Sequence, residues 1–295
     1  MPLVATLISH PAQRRLSHSL ANMASQAVGA SSLRWLAEEI ACDLILPDAA
    51  DRETAQARLR EALASEPIDV AVQEAAGRAK KILLADMDST MIDQECIDEL
   101  ADEIGVKEHV AAITARSMNG EIAFEPALRE RVALLKGLDA AVIERIISGR
   151  LTLASGGRQL VATMRAHGAY TVLVSGGFDV FTSRIGAKLG FDEHRANRLI
   201  EVDGRLTGEV VEPILGRAAK ADALLDVSAR LGLSPADAIA VGDGANDLDM
   251  IHLAGTGVAL HAKPAVAAEA RVRIDHADLT ALLYLQGYSQ KDFAT

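Results

Sequence analysis

Aromatic residues, positive charge, cysteine and long hydrophobic runs are all scarce in this chain. Aromatic residues make up 3% of it, which argues against a surface on which nucleic-acid bases stack. The 30 Lys and Arg residues are outnumbered by 41 Asp and Glu residues, and the net charge of −11 gives no general attraction to a phosphate backbone. We therefore expect no nucleic acid as a partner.

The two cysteines, Cys42 and Cys96, are too few for a framework of disulfides or for a structural zinc site. No apolar run approaches the length of about 18 residues that a membrane-spanning helix needs. The apolar stretch Leu3–Ile8 lacks the preceding basic region that is typical of a signal peptide. We therefore expect a reduced, cytoplasmic protein with no membrane partner.

What the chain does contain is typical of a globular protein with two domains, since 49% of its 295 residues are hydrophobic and 24% are charged. Residues 1–78 alternate in the order β-α-β-β-α-β, which predicts a small ferredoxin-like α+β domain whose first helix covers residues 12–25. From residue 79 to residue 295, longer β/α units predict a doubly wound parallel sheet. Residues of about 94–152 have helical periodicity and no strand pattern, so they predict a helical cap inserted after the first strand of that sheet.

Polar residues follow four of the predicted strands, where ligands of such sheets bind. Asp86 and Asp88 come directly after the strand Ile82–Ala85, and side chains two residues apart in an extended segment point the same way. Two converging carboxylates repel each other unless a cation or a shared proton intervenes, so the pair fits a hard cation such as Mg²⁺. Taken alone, the pair is more typical of a solvated acidic loop.

The second strand end is Ser175-Gly176-Gly177-Phe178, after the strand predicted at Tyr170–Val174. A hydroxyl followed by exposed N–H groups at a helix N-terminus can hold an anion, but the same pattern is typical of a turn and a helix cap. The chain contains an internal comparison, because Ser155-Gly156-Gly157 repeats the tripeptide after a mixed segment. We interpret this second copy as a helix cap.

The remaining two strand ends carry Lys220 and the segment Gly242–Asp247. A lone lysine at the start of a helix, as Lys220 is, is usually a surface residue. The segment Gly242–Asp247 follows the strand Ala238–Val241, and its glycines allow a sharp turn that carries several polar side chains. In a sheet of this type, the turn places Asp243 opposite Asp86.

Together, the four strand ends form a set suited to phosphoryl transfer. A phosphate monoester dianion repels an attacking carboxylate, so metal, lysine and backbone dipoles must neutralise its charge. Asp86 can then attack phosphorus and form an aspartyl-phosphate. Asp88, when protonated, can donate to the leaving oxygen and later take a proton from water.

In this order, the four motifs resemble those of the haloacid-dehalogenase superfamily, from about Lys81 to Gln286. The stretch Phe124–Leu135 in the predicted cap is similar to the cap of its phosphoserine phosphatases. The resemblance implies that Asp86 is the nucleophile and Asp88 the acid and base. It also implies that Mg²⁺ is held by Asp86, the main-chain carbonyl of Asp88, and Asp243.

The same resemblance implies that the substrate is held by Glu95, Arg131, Ser175, Gly176, Lys220 and Asn246, with supporting roles for Thr90, Gly177, Asp247, Met118 and Phe124. Physical reasoning agrees on Glu95 and Arg131, because O-phosphoserine ends in an ammonium and a carboxylate on one carbon. A site selective for it needs an anion beside a forked cation, and arginine binds a carboxylate through two hydrogen bonds. Met118 and Phe124 would shield the pair from water and strengthen it.

The expected function is Mg²⁺-dependent hydrolysis of O-phospho-L-serine to L-serine and phosphate, the last step of L-serine biosynthesis. Two alternatives stay open: transfer of the phosphoryl group to another alcohol such as homoserine, and a non-catalytic amino-acid-sensing module. Residues 1–78 resemble the regulatory ACT domains in element order alone, without a convincing ligand-binding turn. The sequence leaves a homodimer open.

Overall fold

The computed structural model describes residues 2–294, and within that range the chain forms two compact units. The first unit contains the chain up to Lys81, the segment Ser155–Ala169 and the chain from Val272 onward. The second unit contains Ile82–Ala154 and Tyr170–Arg271. The domain boundary after residue 78 and the cap limits of about 94–152 stay predictions.

The first unit begins with the elements β1 (Leu3–Ser9), α1 (His18–Val28), β2 (Ser32–Ala37), β3 (Ala41–Ile45), α2 (Arg52–Ala62) and β4 (Ile68–Glu74). Its strands lie in the order β2-β3-β1-β4 and neighbouring strands are antiparallel, which is the ferredoxin-like arrangement that the sequence predicts. The predicted start of the first helix is wrong. The helix begins at His18, because the Ser17 side chain caps it by accepting the N–H of Leu20.

The remaining helices and strands follow in chain order. They are β5 (Ile82–Ala85), α3 (Cys96–Asp102), α4 (Lys107–Met118), α5 (Phe124–Leu134), α6 (Val142–Gly149), α7 (Gly157–Ala166), β6 (Tyr170–Phe178), α8 (Asp179–Leu189), β7 (Glu193–Asn197), β8 (Leu199–Val202) and β9 (Arg205–Val210). After these come α9 (Arg217–Arg230), β10 (Ala238–Gly242), α10 (Leu248–Leu253), β11 (Thr256–Leu260), α11 (Pro264–Glu269), β12 (Val272–Ile274) and α12 (Ala281–Leu285). Short 3₁₀ turns cover Pro235–Asp237, Ala245–Asp247 and Gln290–Asp292.

In the second unit, the strands β11, β10, β5, β6 and β7 lie side by side in that order, and each pair is parallel. The chain winds from β5 through β6 to β7 on one side and returns to β10 and β11 on the other, as in a doubly wound fold. All four residues of β5 are fully buried, which explains its uncharged sequence. The point where the winding direction changes lies beside the carboxyl end of β5, and this is where a ligand site is expected.

Helices α3, α4, α5 and α6 follow β5 in the chain, so the helical insertion of the sequence prediction is present in the second unit. The hairpin of β8 and β9 packs against α5. Its turn residues Asp203 and Gly204 have φ of 50° and 76°, the left-handed values that a two-residue hairpin turn requires. The Gly137 N–H donates to the Leu206 carbonyl at 2.8 Å, so main-chain bonds join the hairpin to the segment after α5.

In the first unit, the second Ser-Gly-Gly copy lies at the start of α7, as predicted, with Gly156 as the N-cap residue. The Ser155 hydroxyl donates to Asp278 Oδ2 at 2.7 Å and makes no capping bond to α7. Gly156 has φ of 77°, and a Cβ there would lie 2.7 Å from the Thr280 nitrogen. This copy therefore connects two segments of the first unit and leaves no room for an anion.

Among residues 2–294, no helix combines the length and the apolar character that crossing a membrane requires.

Candidate active site

Three buried aspartates come together at the carboxyl ends of β5 and β10. Asp86 follows β5, Asp243 follows β10, and Asp247 ends the 3₁₀ turn after β10. One carboxylate oxygen from each lies within 4.8 Å of the others, and none of the three residues is more than 5% exposed. The strand order explains the meeting, because β5 and β10 are neighbours and their C-termini lie at one edge.

Lys220 lies among these acids, although its position in the sequence is typical of a surface lysine. Its Nζ is 2.7 Å from Asp86 Oδ1 and 2.6 Å from Asp247 Oδ1, and the side chain is fully buried in the first turn of α9. Burial by itself lowers the pKa of Lys220, but the Asp247 and Asp86 carboxylates outweigh it and the pKa is raised. A charged lysine therefore offsets part of the negative charge at this edge of the sheet.

Asp247 holds the turn after β10 in shape. Its Oδ2 accepts the N–H groups of Asp243 and Gly244 at 3.1 and 3.0 Å, while its Oδ1 is occupied by Lys220. Gly242 makes this possible, because a Cβ there would lie 2.3 Å from Asp247 Cγ. Both oxygens of Asp247 are thus used within the protein.

Asp243 has the features of a metal ligand. Its Oδ1 is 3.3 Å from the Thr90 hydroxyl, and its buried Oδ2 has no hydrogen-bond partner among residues 2–294. Lys263 Nζ lies 3.8 Å from that oxygen. Burial and the nearby Asp247 raise the pKa of Asp243 to about 7, and burial raises that of Asp86 well above its usual value. Crowded carboxylates with an unpartnered oxygen fit a hard divalent cation.

Asp88 and the Ser-Gly-Gly segment of β6 form the next part of the site. Asp88 Oδ1 accepts the Cys96 N–H at 2.8 Å, and Oδ2 accepts the Ser175 hydroxyl at 3.1 Å. The Gly177 N–H donates to Ser175 Oγ at 2.8 Å. The predicted end of this strand at Val174 is wrong, since β6 continues to Phe178 with an irregular pairing to β7 after Val174. Gly177 also lies close to Asp88, because a Cβ there would be 2.8 Å from Asp88 Oδ2.

Asn197 is a residue that the sequence analysis missed. Its Nδ2 donates to the carbonyls of Gly176 and Leu215 at 2.8 and 3.1 Å, and its Oδ1 accepts the Leu215 N–H at 2.6 Å. It therefore ties the Ser-Gly-Gly segment to the residues just before α9, which carries Lys220. Asn197 ends β7, a strand that was not predicted, and it belongs to no recognisable motif. The sequence therefore carries no signal for its role.

The helical insertion covers the site from the other side. A Cβ at Gly176 would lie 2.5 Å from Phe124 Cζ, and one at Gly244 would lie 2.7 Å from Met118 Sδ. Asn246, beside them, is 6% exposed and its Oδ1 has no hydrogen-bond partner among the described residues. The resulting pocket is lined by Asp86, Asp88, Glu95, Ile97, Met118, Phe124, Leu128, Arg131, Ser175, Gly176, Gly177, Phe178, Asp243 and Asn246. Ile97 and Leu128 were not predicted, because isolated apolar residues of a helix are indistinguishable from core residues.

Glu95 and Arg131 also line this pocket, in the part that the insertion forms. Glu95 Oε1 accepts the Ser89 hydroxyl at 2.7 Å, and burial, together with Asp88 and Asp243, raises the pKa of Glu95 to about 8. Arg131 is 2% exposed, and its Nε donates to the Ala127 carbonyl at 3.0 Å. The pocket thus combines Glu95 and a buried guanidinium with the aspartates Asp86, Asp88 and Asp243.

Comparison with known proteins identifies the family of this arrangement. The haloacid dehalogenase-like hydrolases match residues 83–252, which include Asp86, Asp88, Ser175, Lys220 and Asp243. The chain belongs to this family. It is therefore a hydrolase with the α/β fold of the haloacid dehalogenases and a ferredoxin-like N-terminal region.

Among the relatives of this hydrolase, a phosphoserine phosphatase of a Polaromonas species is 47% identical over 70% of this chain and 89% of its own length. Another, from Streptomyces coelicolor, is 42% identical over 79% of this chain, and the match spans 58% of that relative's length.

Solved structures extend the similarity of this hydrolase over nearly all of its length. A haloacid dehalogenase family hydrolase from Salmonella enterica serovar Typhi is 31% identical and matches with a TM-score of 0.84 over 96% of this chain and 98% of that one. The phospho-aspartyl intermediate analogue of a phosphoserine phosphatase matches with a TM-score of 0.67 and 41% identity over 70% of this chain and 98% of that one.

Proposed function

We propose that this hydrolase is a Mg²⁺-dependent phosphoserine phosphatase that converts O-phospho-L-serine and water into L-serine and phosphate through an aspartyl-phosphate. The observation that carries the proposal is that one pocket is lined both by Asp86 and Ser175 and by Glu95 and Arg131. The first pair suits a phosphate and the second suits an amino acid's ammonium and carboxylate. The relatives described above are phosphoserine phosphatases, which supports the same substrate.

The nucleophile of the proposed reaction is Asp86 Oδ2. Lys220 Nζ and the Met87 N–H both contact the other oxygen, Oδ1, at 2.7 and 2.8 Å. A lone pair of Oδ2 forms a bond to phosphorus while the bond between phosphorus and the serine oxygen breaks. Lys220, the Ser175 hydroxyl and the N–H groups that follow it offset the charge of the phosphoryl oxygens. When bound by Asp86, Asp243 and the main-chain carbonyl of Asp88, Mg²⁺ would supply further neutralisation of this charge.

Asp88 is the proton carrier of the proposed reaction. The N–H of Cys96 holds Oδ1, so Oδ2 beside Ser175 is the oxygen that gives a proton to the leaving serine oxygen. Because a hydroxyl can rotate, Ser175 can turn its own proton towards the phosphoryl group. In the second step Asp88 takes a proton from water, whose oxygen attacks phosphorus and releases phosphate from Asp86.

Recognition of serine is assigned in this proposal to Glu95 and Arg131, with the ammonium on the carboxylate and the carboxylate on the guanidinium. Asn246, with its unpartnered Oδ1, faces the same space. The apolar side chains of Met118 and Phe124 exclude water, which strengthens both charged contacts. The proposal further places the reaction in the cytoplasm as the last step of L-serine biosynthesis. Light scattering would test whether the protein is a homodimer.

Removal of divalent cations is the first test. EDTA is expected to abolish phosphate release from O-phospho-L-serine, and added Mg²⁺ is expected to restore it, because the crowded carboxylates would otherwise repel the substrate. Phosphate release is measured for a panel of phosphorylated amino acids, sugars and nucleotides, with and without EDTA. A further assay adds homoserine as an acceptor and measures homoserine phosphate. Activity that survives EDTA, faster turnover of a sugar phosphate, or homoserine phosphate as the main product would contradict the proposal.

Arg131→Ala is expected to lower kcat/KM for phosphoserine by about 10²-fold or more, since a buried charged contact to the substrate is lost. An aryl phosphate has no carboxylate, so its kcat/KM is expected to change much less. Arg129→Ala is the matched control, because Arg129 lies on the same helix but is exposed and pairs with Glu212 at 2.7 Å. Equal losses on both substrates would assign Arg131 a structural role.

A further inference from the structure

Arg131 is a buried cation that makes no direct ion pair within the described chain. It is 2% exposed, and no carboxylate oxygen of residues 2–294 lies within 4.0 Å of its guanidinium nitrogens. Burying an unpaired charge is costly unless an anion offsets it. The guanidinium is therefore arranged for an anion that the chain itself does not supply.

Thr114, on α4, determines how this guanidinium is held. Arg131 Nη1 donates to Thr114 Oγ1 at 3.0 Å, and Arg131 Nε donates to the Ala127 carbonyl at 3.0 Å. Two hydrogen bonds to different nitrogens of a rigid planar group fix its plane as well as its position. Thr114 is 3% exposed, so water does not compete for its hydroxyl.

The hydroxyl of Thr114 connects Arg131 indirectly to a carboxylate. The Thr114 hydroxyl donates a hydrogen bond to Asp98 Oδ1 at 2.9 Å. The Val110 carbonyl, at 3.0 Å, is the alternative acceptor of the same hydroxyl. Asp98, on α3, thereby stabilises the guanidinium through the hydroxyl without pairing with it. A direct contact of Asp98 with Arg131 would instead compete with a substrate carboxylate for the same nitrogens.

We infer that Thr114 is a positioning residue for the substrate carboxylate. It orients Arg131 and, as a neutral spacer, keeps the Asp98 carboxylate from pairing with the Arg131 guanidinium. The inference rests on the proposed function, because it takes the carboxylate of phosphoserine as the missing anion. It adds a residue of α4 that lies outside the pocket lining.

The test is Thr114→Val, which keeps the shape of the side chain and removes the hydroxyl. The KM for phosphoserine is expected to rise about tenfold with little change in kcat, because Arg131 loses the charged hydrogen bond that holds it in the orientation for the substrate carboxylate. Thr114→Ser retains the hydroxyl and is expected to restore the KM. O-phosphoethanolamine has the ammonium without the carboxylate, so its KM is expected to be unchanged in both variants.

Thr182→Val is the matched control. Thr182 is also a buried helical threonine outside the pocket lining, on α8, but its hydroxyl lies 3.0 Å from His194 Nδ1 and makes no hydrogen bond to Arg131. A melting temperature measured for each variant separates a loss of stability from a loss of recognition, and the control is expected to leave both KM values unchanged.

The outcomes separate the two proposals. If wild-type protein prefers phosphoserine over phosphoethanolamine and Arg131→Ala removes that preference, but Thr114→Val leaves the phosphoserine KM unchanged, the positioning role is overturned and the proposed function stands. The positioning role is also overturned if Thr114→Val raises both KM values equally. If wild-type protein does not hydrolyse phosphoserine, both proposals fail.

Discussion

Asp86→Asn is expected to abolish hydrolysis of phosphoserine, with kcat falling by a factor of about 10⁴ or more. An amide oxygen is a far weaker nucleophile than a carboxylate and leaves no route to an aspartyl-phosphate. The substitution is close to isosteric, and it removes one of three crowded carboxylates, so the fold is expected to survive.

The measurement pairs steady-state turnover with acid quenching after exposure to radiolabelled phosphoserine. Wild-type protein is expected to retain acid-stable label that hydroxylamine releases, whereas Asp86→Asn retains none. Asp93→Asn, a change to an exposed carboxylate close by in the chain, serves as the control and is expected to behave as wild type. Label or turnover that persists in Asp86→Asn would rule out Asp86 as the nucleophile.

Lys220→Met has the second-largest expected effect, and it acts on stability as well as on turnover. Two buried carboxylates, Asp86 and Asp247, lose the ammonium that contacts both at 2.7 and 2.6 Å. Breaking a buried ion pair from one side destabilises a protein by about 3–5 kcal/mol. Loss of an electrostatic contact to the phosphoryl group is expected to lower kcat by about 10²–10³-fold as well.

Urea denaturation and turnover separate these two effects. Lys107→Met is the matched control, because Lys107 also begins a helix and pairs with Glu99 at 2.7 Å, but it is 42% exposed. Its effect on the free energy of unfolding is expected to stay within about 1 kcal/mol. The double variant Lys220→Met with Asp247→Asn is expected to regain stability without regaining activity. Full activity in the double variant would show that Lys220 acts only through folding.

Most of the fold follows from local pattern. The strands predicted at Ile82–Ala85 and Ala238–Val241 agree with the structure to within one residue, because a short run of buried apolar residues is a property of neighbouring residues. The first helix and the end of β6 do not. The Ser17 cap and the irregular pairing of β6 with β7 depend on particular hydrogen bonds that periodicity does not encode.

The residues of the candidate site also fall into those that sequence predicts and those that only the structure shows. Asp86, Asp88 and Asp243 are found from sequence, because each directly follows a recognisable buried strand. Lys220 is found only through its motif, since a lysine in the first turn of a helix is otherwise typical of the surface. Asn197 and Thr114 are found only in the structure, because each acts on a partner 17 or more residues away in the chain.

The sequence by itself determined the element order of residues 1–78, the helical insertion, the family and the acids at the strand ends, because these depend on neighbouring residues and on spacing along the chain. Only the tertiary structure decided that Lys220 is buried between two carboxylates and that Arg131 has no ion pair of its own. The physical reason is that the charge state and availability of a side chain depend on its burial and on which groups lie within a few ångströms of it. Those neighbours come from strands and helices that are far apart in sequence.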